Sequence, residues 1–528
     1  MSGEWAPQAA VWSPASAPWV LAATILASSM AFIDHSVVNV ALPVLQRDLK
    51  AGFNEVQWVV EAYALFLGAL LLVGGAAGDR FGRRRVFTIG VVLFAMASAW
   101  CGAAGSVSEL IIARGVQGVG GALLVPGSLA IISATFQGEA RGRAIGTWSA
   151  ASAITTSLGP VIGGWLIDHV SWRAAFFINL PFAVAVLLIA ARHMPESRRA
   201  ESAGPLDWQG ALFATVGLGG IVYACLQAPI SGWGGGWGVI AALLLGIAGL
   251  AAFAVAEARH PAPMLPLGLF RSKTFAGVNL LTVLLYAGLG GASFFLPLNL
   301  VQMQGYPATA AGAATLPFAV LLALLSRRMG ALVARYGARR LLILGPAIAA
   351  CGFVLFTLPG VGGSYWSTFF PAVLVLGLGM SITIAPLSTA VMNAVDNAHS
   401  GAASGVNNAA ARVAALLAIA LYGLVMSAVF EDTLAARLRE AGLSQATIRI
   451  VQQQQARLGA IELPADVVPR EAAAARQAIE AAFIDGYRSV LLLSALLALC
   501  AALSAWRQIE RPPGAEKEKG GGAPLSSA

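Results

Sequence analysis

The chain has 528 residues, of which 58% are hydrophobic and only 11% are charged. Soluble globular proteins carry about 25% charged residues, so this composition excludes a soluble globular protein and indicates a protein of the lipid bilayer. The net charge is +8, but most positive residues are arginines in short connections between apolar runs, where they orient membrane helices. Nucleic acid is therefore not expected as a partner.

Fourteen apolar runs are long enough to cross a bilayer, which takes about 20 residues of helix. Lipid cannot satisfy bare backbone groups, and no run alternates as a barrel strand does, so each run is predicted to be an α-helix. The predicted spans are 19–45, 56–77, 86–105, 107–133, 143–168, 174–192, 209–228, 237–257, 275–301, 311–334, 341–360, 367–394, 401–430 and 487–506.

The distribution of arginine and lysine predicts that both termini are cytoplasmic. With that orientation, the short outer connections carry only Arg47, Lys50 and Arg173, and the inner ones carry many more positive residues. No Lys or Arg precedes Trp19, so residues 1–18 lack the charged start of a cleavable signal peptide. The four cysteines fall within apolar runs, and we expect no disulfide framework, no metal site and no cofactor.

The connection 431–486 is the only soluble segment of any size. Its AARLREAG and EAAAARQAIEAAF stretches predict amphipathic helices, broken at Pro464 and Pro469. We expect an ordered outer flap; the alternative is a docking surface for a partner such as a periplasmic adaptor protein. The last residues, GAEKEKGGGAPLSSA, have the composition of a flexible tail.

An aspartate, Asp34, interrupts the first span. The apolar run stops near Leu45, eleven residues beyond Asp34, which places the carboxylate about 16 Å inside the membrane. A carboxylate at that depth costs roughly 3 kcal/mol unless it is protonated or paired. Asp34 is therefore predicted to carry a proton or hold a cation.

Other polar residues lie at membrane depth. Arg114 lies roughly 9–12 Å into the outer half of the fourth span and needs a partner or water. Glu61 lies at a similar depth, and it is either a second acid for protons and cationic compounds or the partner of Arg114. His35 projects about 100° away from Asp34, which favours a packed polar residue over a proton relay. Arg412 either has a functional role or snorkels to the cytoplasmic surface.

The energy source is predicted to be an ion gradient. None of the four lysines (Lys50, Lys273, Lys517 and Lys519) stands in a G-x-x-x-x-G-K-[ST] loop, so this chain alone is not expected to use ATP. A proton that crosses 100 mV supplies about 2.3 kcal/mol, which Asp34 can use if substrate and proton compete for it. The prediction is a transporter and not an enzyme.

The first inner connection resembles a known family. Its sequence, Gly75-AAGDRFGRRRVF, is similar to the G-x-L-A-D-R-x-G-R-K loop of the major facilitator superfamily, with Ala77 and Gly78 in place of Leu and Ala. The resemblance implies a charge-relay latch that opens and closes as two halves rock. Its residues would be Gly75, Asp79, Arg80, Gly82, Arg83 and Arg84. A degenerate copy, Gly330-ALVARYGARR, follows the tenth span and fits a repeated architecture.

Further segments resemble the 14-helix drug:proton antiporter branch of that superfamily. Asp34-HSVVNVALP is similar to its D-x-T-V-V-N-V-A-L-P signature, and Leu110-IIARGVQGVGG to the R-x-x-Q-G-x-G motif, which implies proton coupling by Arg114 with a structural ion pair as the alternative. Leu158-GPVIGGWL resembles the motif of antiporters, which implies export. Its residues are Gly159, Pro160, Gly163 and Gly164. Weaker similarities are Ser171-WRAAFFINLP, Asp207-WQG, Gln302-MQGYPATAAG and Gly401-AASGVNNAAARVAA.

The expected fold is therefore an all-α integral membrane protein, a major facilitator fold with 14 transmembrane helices. Two six-helix bundles are expected, with two inserted helices between them. The predicted parts are a cytoplasmic N-terminus 1–18, a first bundle 19–193, inserted helices seven and eight in 194–258, a second bundle 259–506 that contains the extracytoplasmic loop 431–486, and a cytoplasmic tail 507–528.

The predicted function is proton-coupled export of amphipathic compounds by alternating access across a bacterial inner membrane. The expected partners are a lipophilic or cationic small molecule, protons and the lipid bilayer. Proton coupling is assigned to Asp34, Glu61 and Arg114. The candidates for a substrate cavity are Asn39, Tyr63, Gln117 and Trp148. The alternatives are a narrow exporter of one metabolite, siderophore or self-made antibiotic, and a membrane receptor that does not transport.

Overall fold

The structure is a computed structural model that describes residues 16–197, 207–231, 237–260, 263, 265, 267–395, 400–465 and 467–509. Most of the predicted N-terminus 1–18 and of the tail 507–528 lies outside these residues. Within the described ranges the regular structure is helical, with no β-strand. An all-α membrane protein is therefore confirmed.

The first part of the chain forms helices α1 to α7. Their bounds are α1 Ala17–Asp48, α2 Phe53–Phe81, α3 Arg83–Ala103, α4 Val107–Thr135, α5 Gly138–His169, α6 Ala174–Phe177 and α7 Asn179–His193. Two further helices, α8 Trp208–Ser231 and α9 Trp237–Arg259, follow.

The rest of the chain forms α10 to α17. Their bounds are α10 Lys273–Leu298, α11 Ala308–Ala313, α12 Leu316–Tyr336, α13 Ala338–Leu355, α14 Tyr365–Asn393, α15 Ser400–Glu440, α16 Gln445–Gln453 and α17 Pro469–Gln508. Short 3₁₀ segments occupy Leu267–Arg271 and Gln455–Ala460, and a π turn, Asn299–Met303, follows α10.

The helices match the fourteen predicted spans. Among the described residues, thirteen helical segments are long and apolar enough to cross a membrane, counting α6 with α7 and α11 with α12 as one span each. The remaining predicted span, 143–168, lies in α5, whose 32 residues extend about 48 Å and so suffice to cross a bilayer. Its polar residues, such as Thr155 and Thr156, lower its apolar character.

Two groups of helices pack around a central region. In the first, α2 packs against α4, α4 against α3 and α1 against α5; in the second, α10 and α13 pack against α17, and α13 against α14. We call α1–α7 the first half and α10–α17 the second half. The pair α8 and α9 packs through small residues, since a Cβ on Gly220 or Gly249 would overlap the facing backbone. Helix α8 also contacts α2 and α15, one from each half.

The segment 431–486 is mostly helix. The membrane part of α15 runs on to Glu440, and α17 already begins at Pro469, since no proline stands at either boundary between apolar and charged residues. The intervening 3₁₀ segment docks on α1: the Gln46 side chain donates to the Arg457 carbonyl over 3.0 Å and accepts from the Gln302 amide over 2.9 Å.

The two halves meet at one end of the molecule. We call the distal end the one where α1 ends and α17 begins, and the proximal end the one where α1 begins and α17 ends. The Gln46 bonds lie at the distal end, as does the bond from the Gln57 amide to the Ile419 carbonyl of α15 at 2.9 Å. Phe53 adds an aromatic contact to Phe294, with ring centroids 6.0 Å apart. The distal end is closed by these contacts.

Candidate functional site: a buried ion cluster beside a central cavity

Asp34 and Arg114 form an ion pair in the interior of the first half. The Arg114 guanidinium donates to the Asp34 carboxylate, and both side chains are almost completely buried. Arg114 also donates to the Val59 carbonyl over 3.0 Å. An ionised carboxylate and a guanidinium can stay charged at this depth because each satisfies the other and neither faces lipid.

Two amides complete the cluster. Gln117 donates to Asp34 over 2.7 Å and accepts from Arg114 over 2.7 Å, and Asn179 donates to Asp34 over 3.3 Å. The Asn179 amide also donates to the Ser98 hydroxyl over 3.0 Å, which links α7 to α3. In this structure Gln117 is fully buried and does not line the central cavity described below; one helical turn from Arg114, its amide faces the ion pair.

Tyr63 separates the ion pair from a central cavity. Its ring centroid lies 4.3 Å from the Arg114 guanidinium carbon, a cation–π contact, and its hydroxyl is buried with no hydrogen-bond partner among the described residues. The cavity has a volume of about 40 Å³. Residues of both halves line it: Ala31, Phe32, His35, Tyr63, Leu67, Val125 and Arg412.

The cavity settles the positions of several predicted residues. His35 is exposed and its ring lies 6.4 Å from that of Tyr63, so it is a cavity residue and not a packed one. Arg412 reaches the same cavity from α15 and does not snorkel to a surface. Trp148 donates to the Ser28 hydroxyl over 3.0 Å and lies beside the cavity residue Phe32. Asn39 lies farther along α1, away from this lining.

Glu61 is a buried acid on α2. It is 0% exposed, and neither carboxyl oxygen has a hydrogen-bond partner in the described part of the chain. Arg114 is engaged with Asp34, so the alternative of a Glu61–Arg114 pair is wrong. Glu61 does not reach Arg114 because of the rotation of α2 about its axis. It lies on the face of α2 that carries Trp58 and Leu65, and that face packs on α8 and α15 instead of α4.

The predicted latch lies at the proximal end. Arg83, at the start of α3, donates to Asp79 near the end of α2 over 2.8 Å, while Arg80 is exposed and lies over the ring of Phe81. Gly82 has φ +107°, a conformation that favours glycine. Gly75 packs loosely toward Pro126 of α4, and the backbone amide of Arg84 donates to Glu196 over 3.0 Å.

Sequence reasoning missed Glu196 and Asn179. Glu196 accepts from the first free amides of α3, those of Arg84 and Arg85, and so replaces a helix cap. Its signal was weak, because an acid after the sixth span has no fixed spacing to α3. Asn179 lies within the quoted segment Ser171-WRAAFFINLP, so the signal for it was present.

The antiporter-type glycines let α5 pack closely on α1 of its own half and on α11 of the second half. A Cβ on Gly163 would overlap the Val37 side chain of α1, and a Cβ on Gly159 would overlap Ser36. On the other face, Gly164 contacts the Ala308 backbone of α11, and the Pro160 carbonyl contacts Gly312 of α11. The motif is therefore a packing surface between the halves at the distal end.

Asp168 ends this contact with a polar clamp. Its carboxylate accepts from the Ala308 amide over 3.0 Å, the Thr309 amide over 2.7 Å and the Thr309 hydroxyl over 2.6 Å. Free amides at the start of a helix favour a negative charge, so Asp168 of the first half caps α11 of the second.

These features define a class of protein: a multi-pass membrane transporter with two packed halves, a buried ion pair and a cavity lined by both halves. The chain belongs to the Major Facilitator Superfamily, whose family match covers residues 24–419. It is therefore a transporter and not an enzyme.

The chain is similar to proteins of drug resistance. It is 32% identical to the multidrug resistance protein Stp of Mycobacterium tuberculosis over 93% of this chain and 92% of that protein. It is 30% identical to the tetracenomycin C resistance and export protein of Streptomyces glaucescens, over 94% of each chain. It is 36% identical to the puromycin resistance protein of Streptomyces alboniger, over 81% of this chain and 84% of that protein.

Solved structures show the same fold. A bacterial homolog of the human lysosomal transporter Spinster, in an inward-facing and occupied conformation, aligns with a TM-score of 0.60 and 17% identity, over 94% of this chain and 97% of that chain. The nucleoside transporter NupG, as a D323A mutant, aligns with a TM-score of 0.59 and 12% identity, over 93% and 100%. At these identities the likeness concerns the fold alone.

Proposed function

We propose that the protein is a proton-coupled secondary exporter of amphipathic organic compounds that works by alternating access. The observation that carries the proposal is the fully buried Asp34–Arg114 pair, a titratable group kept at membrane depth in a chain without an ATP-binding loop. The drug-resistance proteins that resemble the chain over nine-tenths of its length support export as the direction.

The structure corresponds to the state in which the distal end is closed. The contacts of Gly164 and Asp168 with α11 hold the halves together there. We propose that the protein lies in a bacterial inner membrane, with the proximal end and both termini on the cytoplasmic side. The parts 19–193 and 259–506 rock as units, and the helices in 194–258 are an inserted pair. For the segment 431–486, the docking of its 3₁₀ segment on α1 favours an ordered outer flap, and not a docking surface for an adaptor protein.

In this state Asp34 is ionised, because Arg114, Gln117 and Asn179 all donate to its carboxylate. When the distal end opens, a proton from outside reaches Asp34 and neutralises it, and Arg114 loses its counter-charge. The Tyr63 ring, which packs on Arg114, transmits that change to the cavity. Return to the distal-closed state then delivers the proton to the cytoplasm as substrate binds.

Glu61 is the second proton-coupling group of the proposal. An unpartnered carboxyl group in the bilayer interior is stable only in its neutral form, so Glu61 carries a proton in this state. The latch residues Asp79 and Arg83 act at the proximal end, where their bonds must rearrange as that end opens and closes.

Efflux from energised cells tests the proposal. Cells that express the chain and are loaded with ethidium or puromycin should lose the compound faster than cells with an empty vector, and an uncoupler should abolish the difference. The Asp34→Asn variant should reach the membrane in equal amount and export neither compound. Export that is indifferent to the uncoupler, or undiminished in Asp34→Asn, would refute proton coupling.

A narrow exporter of one self-made antibiotic is the second candidate. It is favoured by relatives that carry the name of a single compound, such as those for tetracenomycin C and puromycin. A panel of aromatic cations, neutral polyketides and nucleoside antibiotics separates the two: export of a single class supports the narrow exporter, and export of several classes supports the multidrug one.

A further inference from the structure

Among the described residues, an acidic and a basic side chain at membrane depth have no hydrogen-bond or ion-pair partner. Glu61 on α2 is fully buried, with both carboxyl oxygens unpaired among the described residues. Arg412 on α15 extends into the central cavity, and in the same part of the chain no hydrogen bond or ion pair holds its guanidinium. Each side chain is costly alone, and a pair would lower the cost of both.

The register between α2 and α15 places these residues close together. The two helices run antiparallel: the Gln57 amide bonds to the Ile419 carbonyl near the distal end, and Leu72 lies against Gly405 near the proximal end. Glu61, one turn beyond Gln57, therefore lies level with Leu416. Arg412 lies one turn from that level, about 6 Å along the helix axis.

Both residues also lie on the facing stripes of the two helices. On α2, Glu61 stands between Gln57 and Leu65 at intervals of four residues, and Leu65 packs in one cluster with Leu416 of α15. On α15, Arg412 is one turn from Leu416 on the same stripe. Spacings of four residues keep side chains on one face of a helix.

Few other charged or titratable groups lie near this boundary. Two titratable groups of α8 face this boundary. The Tyr223 ring contacts the Trp58 ring of α2, and Cys225 packs in the same apolar cluster as Trp58 and Leu65. His35 of α1 stands beside Arg412 at the cavity. The Arg114 guanidinium, behind Tyr63, is already bound to Asp34. Glu61 is therefore the unpaired acid nearest to Arg412 on the elements that meet here.

We propose that Glu61 and Arg412 form an ion pair across the α2–α15 boundary whenever Glu61 is ionised, and that this pair withdraws Arg412 from the central cavity. The present structure is the other position of the switch, in which Glu61 is protonated and Arg412 points into the cavity. The proton that leaves Glu61 passes to cytoplasmic water, and the guanidinium stays charged throughout.

The switch gives substrate binding a direction, and in this respect it rests on the proposed function. With Arg412 inside, the cavity is positively charged and holds about 40 Å³, far below the roughly 300–1,000 Å³ of sites for drug-sized ligands. When the Arg412 side chain leaves the cavity, the cavity becomes larger, and the guanidinium pairs with the Glu61 carboxylate. Loss of the proton on the cytoplasmic side therefore admits a cationic or neutral compound, as antiport requires.

Ethidium binding to the full-length protein in nanodiscs tests the switch. The wild-type protein should bind ethidium at least tenfold more tightly at pH 8 than at pH 6. Glu61→Gln should bind at least tenfold more weakly than wild type at pH 8, because Arg412 stays in the cavity. Arg412→Gln should bind tightly at both pH values, and the double variant should match Arg412→Gln.

The double variant decides between the switch and direct contact. If Glu61→Gln weakens binding equally in the Arg412→Gln background, Glu61 acts without Arg412 and the proposal fails; it also fails if Arg412→Gln itself weakens binding. Arg437→Gln is the matched control, since Arg437 lies on the same helix in an exposed pair with Glu440, 3.9 Å apart, and should bind as wild type does.

A second measurement needs no ligand. In a double-mutant cycle of Glu61→Gln and Arg412→Gln, the equilibrium constant of unfolding should show coupling of at least tenfold at pH 8 and less than twofold at pH 5. No coupling at pH 8 overturns the proposal. Neither measurement uses a proton gradient, so absence of gradient-driven export would refute the proposed function and leave the ion pair standing.

Discussion

The packing of Gly164 against α11 predicts that a single added methyl group will open the distal end. A Cβ at this position would lie 2.6 Å from both the Ala308 carbonyl carbon and the Thr309 Cα. Because these are backbone atoms, they cannot turn aside as a flexible side chain does. Overpacking of this kind costs about 1–3 kcal/mol, and here the cost falls only on the state in which the two helices touch.

Gly164→Ala should therefore shift the equilibrium toward the distal-open state by about 5- to 150-fold. The shift can be measured by double electron–electron resonance, which gives the distance between two spin labels. The labels are attached to cysteines introduced at Asp48 of the first half and Ser364 of the second, both at the distal end. The four native cysteines are replaced by serine for this purpose. The label-to-label distance should lengthen in Gly164→Ala.

Gly146→Ala is the matched control on the same helix. A Cβ there would meet no atom within 4 Å, so the distance distribution should stay that of the parent protein. If Gly164→Ala also leaves the distribution unchanged, the contact does not close the distal end, and the reasoning from packing is wrong.

Two further predictions concern charged groups. Asp168→Asn removes the negative charge that accepts three hydrogen bonds from α11. The equilibrium should therefore shift toward the distal-open state by roughly fivefold, about 1 kcal/mol, and the distance between the same spin labels should lengthen. An unchanged distance would show that the Asp168 bonds do not hold the distal end closed. Arg114→Met leaves Asp34 buried without a cation and should lower the free energy of unfolding at pH 8 by about 3–5 kcal/mol in a detergent titration. Adding Asp34→Asn should restore most of it, whereas equal losses in the single and double variants would contradict the pairing.

The sequence predicted the helical fold because the apolar runs are long and their length is set by the bilayer. It also predicted the residues of the ion pair, since Asp34 and Arg114 are expensive wherever they lie in a membrane. What it left open was pairing. Whether Glu61 or Asp34 meets Arg114 depends on the rotation of α2 against α4, and no local pattern encodes the angle between two helices that are both largely apolar.

Two further features could not be read from the local pattern, each for its own physical reason. Gln117 was predicted as a cavity residue because it is polar, whereas in this structure its amide, one turn from Arg114, faces the ion pair. The helices α15 and α17 extend past their predicted membrane ends, because the change from apolar to charged residues marks the edge of the bilayer and not the end of a helix.

The measurement that tests the central claim most directly uses purified protein in liposomes. With the interior made acidic relative to the medium, wild-type protein should accumulate ethidium against its gradient, and Asp34→Asn should not, although it should still exchange internal for external ethidium when no gradient is imposed. Accumulation by Asp34→Asn at the wild-type level would show that Asp34 does not carry the coupled proton.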